Sequence, residues 1–67
     1  MKNIIRDLRK EKKLSQDELA KLCNVTRQTI NAIENNKYDP TLSLAFKLAY
    51  LLGATVDELF ESDIDNQ

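Results

Sequence analysis

Four helix starts are written into this 67-residue chain, and they limit the folds open to it more than any other feature. Ser15-Gln16-Asp17-Glu18 and Thr55-Val56-Asp57-Glu58 each set a hydroxyl three residues before a glutamate, the spacing of a capping box. Thr26 and Thr41 each precede a run with helical periodicity and read as single N-caps. The stops are equally local. Asn24 and Asn36 tolerate the left-handed backbone that ends a helix, Gly53 adopts it at little cost, and Pro40 breaks the loop Asn35–Pro40.

These signals predict five helices and no strand. The first spans about Asn3 to Lys12, with Ile5, Leu8 and Lys12 on one face. The second runs from the Ser15 cap to Cys23 and turns Leu19, Ala20, Leu22 and Cys23 inward. The third starts after Thr26 and buries Ile30 and Ile33. The fourth, after Thr41, carries Leu44, Ala45, Leu48, Ala49, Leu51 and Leu52, with Phe46 and Tyr50 also assigned to the core. The fifth begins at Thr55 and reaches about Glu61. Short helices on short loops give an all-α, compact five-helix bundle, one domain over 1–67 with a short tail at 61–67.

Composition removes whole classes of function. There is no histidine and one cysteine, so neither a metal-ligand cluster nor an intrachain disulfide can form, and a reducing, cytoplasmic setting is expected. One glycine precludes a phosphate-cradling loop, and no serine or cysteine has a plausible base, so no enzyme and no cofactor is expected. No run of about 18 apolar residues could span a membrane. The charged N-terminus is unlike a signal peptide. Net charge is −1, but residues 1–13 hold six cations against two acids, and residues 39–67 hold Lys47 against six acids. The chain is polarised, with a basic first helix and an acidic end.

The third helix leaves a surface that the core does not need. At about 100° per residue, Gln28, Asn31, Ala32 and Asn35 fall opposite Ile30 and Ile33, with Arg27 at the flank. A solvated helix face more commonly alternates Glu and Lys. Amides present paired donors and acceptors: Asn or Gln matches an adenine edge, and Arg matches guanine. Two capped helices around Asn24 make a helix-turn-helix over 15–34, which lays its second helix in the DNA major groove. Gln16, in the first turn of the leading helix, is placed either to meet a phosphate or as a plain first-turn residue. Arg9 and Glu34 each lie beside an apolar stripe, and a half-buried charge seeks a partner, so the two are expected to pair. Cys23 is expected as a small core residue. Tyr38 either stacks on a sugar or covers its loop.

Ser15 to Glu34, "SQDELAKLCNVTRQTINAIE", resembles the Cro/phage-repressor (XRE) family of helix-turn-helix regulators. Further matches are Arg9, Leu14, Pro40-Thr41-Leu42 and Val56 to Phe60. The likeness covers about residues 4–60. It implies the lambda-repressor-like five-helix fold, double-stranded operator DNA as ligand and a two-fold homodimer. By position it implies base reading by Arg27, Gln28, Thr29, Asn31 and Ala32, with Arg27 alternatively on a phosphate. It places phosphate contacts at Gln16, Asn35 and Lys37, with Tyr38 in the same loop. The family often has glycine where Asn24 and Asn36 stand here, and Ala32 can offer only a methyl group. Phe60 and Ile64 are either core or dimer contacts, with a dimer interface of Ala54, Val56, Phe60 and Ile64 the favoured reading. The function so implied is a repressor occluding a palindromic operator, with no small-molecule effector evident. The alternative is a protein-binding module, such as an antitoxin-like partner.

Overall fold

Two short strands bracket the helices. In the computed structural model, which describes residues 1–61, β1 (Lys2–Asn3) pairs antiparallel with β2 (Phe60–Glu61), Lys2 opposite Glu61 and Asn3 opposite Phe60. Between them lie five helices: α1 (Ile5–Glu11), α2 (Gln16–Cys23), α3 (Arg27–Glu34), α4 (Leu42–Leu52) and α5 (Val56–Leu59). The strand pair corrects the expectation of no strand. Two-residue strands are shorter than any alternation a sequence can display. For the same reason α5 stops at Leu59 instead of running to Glu61, and α1 begins at Ile5, two residues later than expected.

Each cap signal acts where it stands. Ser15 accepts from the Glu18 amide while the Glu18 carboxylate accepts from the Ser15 amide, and Thr55 and Glu58 repeat the exchange. Thr26 and Thr41 accept from Thr29 and Leu44. Four helices also end alike. Left-handed residues at Lys13, Asn24, Asn36 and Gly53 let the next amide reach back five residues: Leu14 to Arg9, Val25 to Ala20, Lys37 to Ala32 and Ala54 to Ala49, all at 2.9–3.0 Å. Lys13 is the one of the four that carries no sequence signal, since a β-carbon disfavours that backbone region.

The core takes at least one fully buried side chain from each helix: Ile5, Leu19, Ile30, Ile33, Leu48 and Leu59. Each contributes about 1.5–3 kcal/mol relative to exposure. Ala20, 1% exposed, lets α2 and α3 approach closely. Three expected core residues lie outside: Leu22 is 55% exposed, Phe46 59% and Tyr50 85%. Leu22 sits at the rim of its stripe. Phe46 and Tyr50 follow Leu42 at four-residue intervals on a side of α4 that no element among the described residues covers. Leu42 itself is 68% exposed.

Candidate nucleic-acid interface

The site is built from the inside out, beginning at one carboxylate. Glu34, at the end of α3, has a fully buried side chain and accepts from three directions. Arg9 of α1 grips it twice, Nε to Oε2 at 2.7 Å and Nη2 to Oε1 at 3.2 Å. The third guanidinium nitrogen of Arg9 donates to the Leu14 carbonyl at 2.9 Å, fixing the α1–α2 connection to the same point. Gln16 Nε2 donates to Oε1 at 3.0 Å, and Arg6 Nε approaches it at 3.4 Å. Burial by itself would push this carboxyl up. The hydrogen bonds from Arg9 and Gln16, the Arg9 charge and the Arg6 contact outweigh it and hold Glu34 below the ordinary carboxylate range.

This cluster fixes the angle of α3 against α1 and α2. Asn3 adds a second tie: its Nδ2 donates to the Ile33 carbonyl at 2.8 Å while its Oδ1 accepts from the Ile5 amide. Neither Asn3 nor Arg6 was singled out from sequence, because their partners lie some thirty residues away, at Ile33 and at Glu34–Asn35.

The outward side of α3 divides into engaged and unengaged groups. Arg27 and Gln28 are exposed and make no hydrogen bond or ion pair among the described residues. With Asn31 they line a shallow depression. Thr29 is half-buried and its hydroxyl lies 3.0 Å from that of Thr26. Ala32 is half-buried. Asn31 is exposed, and its Nδ2 points to Gln16 Oε1 at 3.5 Å. Asn35 accepts from Arg6 Nη2 at 3.1 Å and donates to the Asn31 carbonyl at 2.8 Å, leaving one amide hydrogen outward. Lys37 and Tyr38 are exposed in the loop that follows. Tyr38 borders a second cleft with Thr29, Ser43 and Lys47, where α4 starts. Nothing local in the sequence marks Lys47 for this position.

The remaining expected positions fall elsewhere. Cys23 is 2% exposed, and burial pushes its thiol up against the lowering effect of Lys47. Ala54 and Val56 are half-buried, and Phe60, 8% exposed, packs with the core while bordering a groove with Leu42 and Val56. Ile64 lies outside the described residues. Among the described residues no helix is long and apolar enough to cross a membrane.

Two capped helices, a left-handed turn between them and an amide-rich outer face on the second define a helix-turn-helix unit. A family model described as helix-turn-helix matches residues 5–59. The chain is 48% identical over 60 residues to an HTH-type transcriptional regulator of Methanocaldococcus jannaschii, covering 90% of this chain and 91% of that one. It is 38% identical over 55 residues to the immunity repressor protein of Bacillus phage phi105, covering 82% of this chain and 38% of the repressor. Among solved structures, the restriction-modification controller protein C.AhdI of Aeromonas hydrophila superposes with a TM-score of 0.75 at 36% identity, over 84% of this chain and 85% of that one. The chain belongs to the XRE-type helix-turn-helix family of DNA-binding transcriptional regulators.

Proposed function

We propose that this protein is a repressor that occupies a two-fold symmetric operator as a homodimer, with α3 in the major groove. The observation that carries the proposal is the exposed, unengaged pair Arg27 and Gln28 beside Asn31 on a helix clamped from behind. Side chains with no internal partner keep their full donor and acceptor capacity for base edges. In this reading Arg27, Gln28 and Asn31 specify, with Thr29 and Ala32 supplying contacts to base methyl groups. Gln16, Asn35, Lys37 and Tyr38 meet the backbone and set the register. The sign of regulation draws support from the phage immunity repressor among its relatives.

The dimer contact is assigned to α4 and the start of α5. Leu42, Phe46 and Tyr50 form an exposed apolar stripe, and Leu42 continues into a groove with Met1, Pro40, Ala45, Val56 and Phe60. Covering an aromatic side chain buries roughly 150–250 Å². The stripe therefore reaches the few hundred Å² that marks an interaction surface on a small protein. A second copy supplies the same stripe, and an isologous contact needs one self-complementary patch.

Selection of bound duplexes from a random pool, at two salt concentrations, tests the whole reading. A palindrome with half-sites about 10 bp apart is expected. Salt-sensitive binding without enrichment would reduce the function to phosphate contact. Absence of binding would refute it.

A further inference from the structure

We propose that Gln16 is a positioning residue for base recognition: it transmits the polarity of the buried Glu34 carboxylate to the amide of Asn31. Donor and acceptor capacity constrains each group in turn. A carboxylate can only accept, so it draws the Gln16 amide nitrogen inward, at 3.0 Å. The Gln16 carbonyl is thereby turned outward. That carbonyl can also only accept, so it selects the nitrogen end of Asn31, at 3.5 Å. Asn31 then has one amide hydrogen and its carbonyl oxygen left for a ligand. Those are the donor and acceptor that an adenine edge takes together. If Asn31 flipped, two carbonyl oxygens would face each other and its outward pattern would reverse.

The relay starts from a point that cannot reorient. Arg9 holds both carboxylate oxygens of Glu34, and the Glu34 side chain has no solvent exposure. Gln16 is half-buried and Asn31 exposed, so polarity passes from the core to the surface in two steps. The flanking amide is set in the same way: Asn35 is oriented by Arg6, itself in contact with Glu34. Arg27 and Gln28 lie off this network and stay adaptable. The face thus combines one amide of set polarity with two side chains that adjust.

The inference rests on the DNA-reading role of α3, and its test has one arm that needs no DNA. Gln16→Met keeps length and apolar stem but can neither donate nor accept. In the DNA-free protein, the Asn31 side-chain NH₂ resonances are followed by NMR. In wild type they should show two distinct hydrogens, one shielded from exchange. In Gln16→Met, compared well below its melting transition, they should shift and exchange faster; losing one hydrogen bond to the buried Glu34 carboxylate lowers the melting temperature. In the DNA arm, single-base variants of the selected operator are bound by wild type, Gln16→Met, Asn31→Ala and the double variant. Gln16→Met should lower discrimination roughly three- to tenfold at the base pair that Asn31→Ala also affects, part of what a bidentate contact supplies. It should add little in the Asn31→Ala background. Equal weakening on every sequence with no extra loss at the base pair that Asn31→Ala affects, or additive losses there, would overturn the relay and leave Gln16 a phosphate contact alone. Unchanged Asn31 resonances would overturn it whatever the DNA result. A wild-type protein that binds no duplex selectively, yet shows the NMR coupling, would remove the DNA-reading role and with it the claim that the relay serves recognition.

Discussion

Glu34 shows how much one residue can organise here. Its carboxylate joins α1, α2 and α3 through Arg9, Gln16 and Arg6. Removing a partner leaves a buried charge unmatched, so Arg9→Ala should destabilise by about 3–5 kcal/mol. The pH dependence follows from the direction of the shift. Glu34 titrates lower in the folded chain than in the unfolded one. Its stabilisation is therefore full above the ordinary carboxylate pKa of about 4.3 and fades as pH falls through the lower folded value. Urea midpoints of wild type and Glu34→Gln should differ widely at neutral pH and converge in acid. A gap that persisted in acid would mean that the charge is not what matters. This pair was legible in the sequence because each charge sits beside an apolar stripe. Its accessory partners, Arg6 and Asn3, were not, since nothing local marks a side chain whose partner lies across the fold.

At the scale of the element, the helices owe their limits to short-range chemistry. Ser15, Thr26, Thr41 and Thr55 cap where they stand, and Asn24, Asn36 and Gly53 turn left-handed where they stand. Lys13 does the same against its own preference, at φ 58°. Lys13→Gly should relieve about 1 kcal/mol and raise the melting temperature by roughly 4–8 °C. Scanning calorimetry would decide it, and a lower melting temperature would show that the lysine side chain outweighs the backbone strain. On α3, Gln28→Ala should relax base preference by about 1–3 kcal/mol at one operator position. Uniform loss across all sequences would move Gln28 to the backbone contacts. Periodicity could separate the two faces of α3, because a helix of known phase has a defined outside. It could not show that Thr29 spends its hydroxyl on Thr26, or that Asn35 spends most of its amide on Arg6 and α3.

For the whole molecule, the question is what lies against α4. Phe46 and Tyr50 are large aromatic side chains that the sequence assigns to the core, yet both are exposed. Phe46→Ser with Tyr50→Ser should leave the monomer folded and shift it from dimer to monomer in sedimentation equilibrium. It should also lengthen the salt and concentration range over which operator binding is lost. A double variant that stays dimeric would place the contact elsewhere. Phe60, open in the sequence between core and interface, packs with the core at 8% exposure.

The sequence by itself determined the four capped helix starts, the left-handed stops at Asn24, Asn36 and Gly53 and the helix-turn-helix. All depend on interactions within one turn of helix, where a residue's neighbours in the chain are its neighbours in space. Tertiary structure alone decided the β1–β2 pairing, the roles of Arg6 and Asn3, the core place of Phe60 and the exposure of Phe46 and Tyr50. Those outcomes depend on which side of each stripe a second element covers. Among the described residues, α4 has more apolar surface than α1, α2 and α5 bury.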